Sequence, residues 1–191
     1  MIVLLVETKA KLRKYARGWI VLMMILITWA LYGYMLTSSI PKVMGYAHEM
    51  KLLDMKPVGY TVEYARELFS ALGETGRHAY LYEQIPVDMV YPLFFAISYS
   101  LLLTYLFGKG FRPEDWIQNL AVIPIFGGVF DYLENIGIIY HLQTYPQLSD
   151  SLIRLTSICS ILKSVFTTIF FLLLFVGLLR VVLRRLGNKT N

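Results

Sequence analysis

Between Trp116 and Tyr140 an otherwise almost wholly apolar run carries the stretch Phe130-Asp-Tyr-Leu-Glu-Asn-Ile-Gly137. Holding an Asp at the centre of a bilayer costs about 2.5–3.5 kcal/mol on insertion scales, so a chain keeps such groups only where its own fold satisfies them. Helical spacing gathers Asp131, Glu134 and Asn135 on one face. Gly127 and Gly128 sit one turn earlier on that face, where small residues let a neighbouring backbone come close. The run reads as the polar heart of a membrane-embedded helical bundle.

The rest of the chain agrees. Of its 191 residues 57% are hydrophobic and only 16% charged, against about 25% charged in a soluble domain. The single cysteine, Cys159, excludes a disulfide framework and a Cys-based metal site. The formal charge is +5, but the Lys and Arg residues cluster beside apolar runs. Anionic lipid headgroups are the simpler partner for that pattern. No basic face interleaved with exposed aromatics is present, which argues against nucleic acid.

Taken in order, residues 1–17 have a short apolar start and then five Lys/Arg against one acid. That pattern predicts an interfacial amphipathic helix. An uncharged run from Trp19 to Leu36 is about 27 Å long as a helix, enough to cross, so a first span is placed at 19–38. A cleaved signal peptide fits poorly, since no A-x-A site follows. The long connection 39–85 is polar and nearly neutral. Within it, Val62, Ala65, Phe69 and Leu72 share a face, predicting an amphipathic helix over 61–72 with Thr61 as N-cap and Gly73 just past its end. Further spans are expected at 87–107, after Pro86, at 116–140, with a kink at Pro124, and at 152–182. The expected fold is an all-α, single-domain integral membrane four-helix bundle.

Charge asymmetry predicts orientation. The N-terminal segment, the 108–115 turn and the C-terminal tail hold eleven Lys/Arg, whereas the 141–150 turn has none. The positive-inside rule then puts both termini in the cytoplasm and the protein in the cytoplasmic membrane. On this topology the glycosylation pattern Asn188-Lys-Thr190 faces the wrong compartment.

Counting from Trp116, Asp131 lies about 22 Å and Glu134 about 27 Å up the third span, in its outer half. Gln84, Asp88, Tyr91, Phe95 and Ser98 share a face of the second span. Thr156, Ser160, Lys163, Ser164 and Thr167 form a stripe on the fourth, and the Lys163 side chain leans outward toward the level of Asp131. Three helices thus aim Asp88, Asp131 with Glu134 and Asn135, and Lys163 at one region, with Arg77 and His78 just above it. Two readings follow. In the first, this is a pocket that binds a lipid or small amphiphile and has the groups for acid–base chemistry on it. Asp131 and Glu134 are then the acid/base candidates and Lys163 the countercharge. Asn135, Asp88 and Tyr91 orient the ligand, and Arg77 meets an anionic headgroup. In the second, Lys163 pairs with Asp131 only to fix helix register, and the protein is a scaffold whose exposed faces meet another membrane protein or a second copy. Proton or cation transport is a smaller third class. His48 and His78 read as solvated or interfacial residues. His141 lies on the face of Glu134, but the Glu-x-x-His pairing of di-metal bundles is missing, so no metal and no cofactor is expected. No phosphate loop, nucleophile elbow or zinc motif is present.

Overall fold

The computed structural model describes residues 2–187, an all-α structure with no strand among them. The pattern Asn188-Lys-Thr190, with Lys189, lies outside the described residues. In chain order the helices are α1 (Ile2–Tyr15), α2 (Gly18–Tyr34), α3 (Ile40–Tyr46), α4 (Val62–Ala71), α5 (Gly73–Ala79), α6 (Ile85–Gly110), α7 (Ile123–Thr144) and α8 (Asp150–Gly187). Four continuous helical stretches are long and apolar enough to cross a membrane: Gly18–Tyr46, Gly73–Gly110, Trp116–Thr144 and Asp150–Gly187. They form a four-helix bundle in which α6 packs against α2, α7 and α8, and α7 packs most extensively against α8.

Prolines shape three of the four stretches. A proline ring clashes with the carbonyl four residues earlier and removes one backbone donor. Pro41 and Pro86 are each preceded by a π turn, Met35–Ser39 and Tyr80–Gln84, whose wider register relieves that clash. The second stretch therefore runs back through Pro86 to Gly73, well before the start at 87 expected from sequence. Gly73 itself adopts φ +60, which separates α4 from α5. In the third stretch Pro124 stands in the first turn of α7, after a 3-10 segment Trp116–Val122, so the expected kink is a change of helix type.

Pro92, inside α6, has a different consequence. Its missing N–H frees the carbonyl of Asp88, and that carbonyl accepts a hydrogen bond from Asn135 Nδ2 of α7 at 3.0 Å. Gly128 lies against the same turn, since a Cβ there would come 2.9 Å from the Pro92 carbonyl oxygen. Gly137 does the same for α8, where a Cβ would collide with Thr156. The α6–α7–α8 contacts thus depend on glycines at the two crossings and on one amide bonded to a proline-freed carbonyl.

One end of the bundle is closed by the segment 47–61 and by α4. Thr61 caps α4 by accepting from the Tyr64 N–H at 3.2 Å. The helix buries Val62, Ala65, Leu68 and Phe69 in an apolar cluster that also includes Val43, Tyr80, Ile138 and Ile153. The segment is fastened along α8: Ser157 Oγ accepts from the Tyr60 N–H and donates to its carbonyl (2.8 and 2.9 Å), and Ser160 Oγ donates to the Lys56 carbonyl at 3.0 Å. Gly59, at φ +80, allows this close passage. A second cluster, Phe95, Leu103, Phe107, Ile117, Ala121 and Phe170, fills the other end. There Lys9 donates to Asn119 Oδ1, and Arg184 to the Lys109 carbonyl.

Adding a methyl or more at a crossing glycine should cost what overpacking costs, about 1–3 kcal/mol. Gly137→Val is expected to lower the melting temperature of the detergent-solubilised protein followed by circular dichroism. Gly33→Ala, whose Cβ meets nothing within 4 Å, is expected to leave it unchanged or raise it slightly.

Candidate functional site

Along the third stretch the polar residues Asp131, Glu134 and Asn135 fall between Ala121 of one apolar cluster and Ile138 of the other. The structure brings them to Lys163 of α8 because the two helices cross closely at Gly137. Lys163 Nζ lies 2.5 Å from Glu134 Oε2 and 3.3 Å from Asp131 Oδ1. It also donates to the backbone carbonyl of Asp54 at 3.3 Å. The nearer acid is thus Glu134, which is fully buried, and Asp131 is the second partner rather than the only one.

Asp54 sits in the 3-10 turn Leu53–Met55, which dips into the bundle. Its carboxylate accepts from the buried Tyr80 hydroxyl at 2.7 Å. Nothing in the sequence marks Asp54, because it lies in a polar connection and reaches the site only through the fastening of that segment to α8. Tyr60 follows on the same segment. Burial, and then the negative charge of Glu134, push its hydroxyl above the ordinary tyrosine range, so it stays a neutral group beside the acids.

A cavity of about 420 Å³ opens beside this cluster, a size typical of small-molecule sites, which run from about 300 to 1,000 Å³. Asp54, Asp88, Asp131 and Lys163 supply its charged lining. Tyr32, Tyr91 and Phe95 supply aromatic walls, with Tyr32 and Tyr91 stacked at 5.5 Å between ring centroids. Leu36 of the first stretch and Phe171 of the fourth also line it, and both are exposed on the outer surface of the bundle (44% and 56%). The cavity therefore leads sideways from the charged cluster to the apolar flank between the first and fourth membrane-crossing helices.

Several buried groups here make no hydrogen bond among the described residues: Asp88 Oδ2, Glu134 Oε1, Asn135 Oδ1 and both polar atoms of Gln84. Of the other residues singled out in the sequence, Arg77 lies away from the cavity. It donates to the Phe69 carbonyl at the end of α4 (2.8 Å) and stacks over Tyr145 at 3.9 Å. His78 lies against Tyr82. His141 is fully buried, 3.5 Å from the Thr156 hydroxyl and packed on Phe69. Among the described residues no group of three His, Cys, Asp or Glu could hold a metal ion.

Fold and site together define a class: a multi-pass helical membrane protein with charged and polar residues buried inside the bundle. In comparisons with known proteins, no family model, no curated protein and no solved structure matches the chain.

Lys163→Met should strand buried carboxylates, at about the 3–5 kcal/mol typical of a broken buried pair. Adding Glu134→Leu is expected to recover more of that loss than adding Asp131→Leu, since Glu134 is the closer and more deeply buried partner. Thermal melts of the four variant and wild-type proteins in one detergent compare them directly. Equal recovery by either second substitution would show that Lys163 is shared evenly between the two acids.

Proposed function

We propose that this protein binds a lipid or other small amphiphile laterally, with the polar end against the charged lining at Asp88, Asp131 and Lys163 and the apolar part along Phe95, Leu36 and Phe171. The observation that carries the reading is the cavity itself. A cluster serving only to fix helix register needs no space beside it, and buried ion pairs are favourable only when tightly surrounded. Here about 420 Å³ lies against four charged residues, Asp54, Asp88, Asp131 and Lys163, and extends to the lipid-facing flank. Intramembrane charges that line a cavity rather than dry packing mark functional sites.

The same groups have the chemistry for proton transfer. Four carboxyl groups, from Asp54, Asp88, Asp131 and Glu134, gather at this site around one ammonium, which pairs directly with two of them, so the cluster holds more acid than its own base can balance. Asp131, which lines the cavity, then serves as general acid or base toward a bound headgroup, with Lys163 as countercharge and Glu134 behind it holding Lys163. Asn135 acts on the site indirectly, by fixing the α6 turn that carries Asp88. For orientation, the eleven-to-none contrast in Lys/Arg supports a cytoplasmic-membrane protein with both termini inside.

The reading is tested by mass spectrometry of lipids extracted from the purified protein. Wild type is expected to retain one amphiphile in near-stoichiometric amount. Thr167→Trp, which fills the cavity from α8, is expected to fold and to lose it. Equal retention by both proteins would contradict a cavity site.

A further inference from the structure

The amphiphile reading leaves the headgroup open, and the charges around the cavity narrow it. Lys163 is already committed: Glu134, Asp131 and the Asp54 carbonyl all lie within 3.3 Å of its ammonium. Asp54 in turn holds the Tyr80 hydroxyl. Asp88 differs. It is 3% exposed and lines the cavity, and its Oδ2 has no hydrogen-bond partner among the described residues. The Asn135 amide, from α7, gives its Nδ2 to the Asp88 backbone carbonyl and not to its carboxylate. About one turn further along the same helix stands Tyr91, stacked on Tyr32 and in contact with Phe95 at 5.9 Å between centroids.

An uncompensated carboxyl next to stacked aromatic faces is the recognition chemistry of an ammonium group, which takes charge from the acid and quadrupole attraction from the rings. A phosphate or carboxylate headgroup would meet a net acidic lining, and a neutral one would offer Asp88 a hydrogen bond without the added attraction of opposite charges. Resting on the amphiphile reading, we propose that the cavity takes a single-chain amine. Its ammonium lies against Asp88 and the Tyr32–Tyr91 pair, and its alkyl chain leaves between Leu36 and Phe171.

The test compares dodecylamine, dodecanol and dodecanoate, of matched chain length, by native mass spectrometry of the detergent-solubilised protein. Wild type should take up the amine at least about tenfold more tightly than the alcohol, the worth of one charge-assisted hydrogen bond, and the carboxylate least. Asp88→Asn should bring amine and alcohol level. Should Asp88→Asn fail to fold, Tyr32→Leu, at a half-exposed wall position, should weaken the amine about threefold to tenfold and leave the alcohol unchanged. Uptake of alcohol or carboxylate equal to the amine overturns the amine assignment while the amphiphile reading stands. No uptake of any of the three, with a cavity-filling variant that retains the same native lipid as wild type, overturns both.

Discussion

The interaction on which the rest of the structure depends is the seat of Lys163. One ammonium holds Glu134 and Asp131 of α7 and the Asp54 carbonyl of the capping segment, so a single side chain ties two membrane-crossing helices to the connection that closes them. In hydrocarbon such a charge is tolerated only with close partners. The surrounding features supply them. Gly137 lets α8 approach α7, Ser157 and Ser160 hold the segment that delivers Asp54, and Gly59 gives that segment its bend. The stripe of small polar residues on α8 thus has a structural use before any functional one.

Proline chemistry has the second part. Pro92 frees one carbonyl, and Asn135 takes it, so the α6 turn bearing Asp88 is fixed from α7. This commits the Asn135 amide to the Asp88 backbone and leaves Asp88 Oδ2, on a residue that lines the cavity, without a hydrogen-bond partner among the described residues. A helix interior without proline would have kept that carbonyl for its own backbone. Asn135 would then have been a buried amide without a partner for its donors. The pairing of a helix-breaking residue with an amide on the neighbouring helix is a usual way for membrane helices to re-satisfy freed backbone groups.

How far this was legible from sequence follows from the same physics. Asp131, Glu134 and Lys163 stand out because charges are rare in apolar runs and because their helical spacing and depth can be counted. The amphipathic pattern of 61–72 and its cap are equally plain, since Thr61 and Gly73 act locally. Asp54 is not legible: a charge in a polar connection carries no signal, and only tertiary docking brings it inward. Pro92, four residues after Asp88, drew no reading from the sequence, since a freed carbonyl gains meaning only once its partner Asn135 is placed against it. Arg77 was placed near the site on the assumption that the second span begins after Pro86. Because the helix continues through a π turn to Gly73, Arg77 instead meets the end of α4. A pocket is one of the two readings the sequence leaves open, but its walls at Tyr32, Leu36 and Phe171 are not legible, because they depend on how the first and fourth helices pack around the other two.

The central claim is that the space beside the charged cluster belongs to a ligand chain from the bilayer and not to dry packing. Phe95 measures this most directly, because its side chain is buried within the bundle (7% exposed) yet lines the cavity. With p-benzoylphenylalanine in place of Phe95, the protein is irradiated in a lipid nanodisc and the modified peptide is weighed. The account predicts an adduct carrying an alkyl or acyl chain at position 95. Crosslinks to neighbouring protein side chains alone would contradict it.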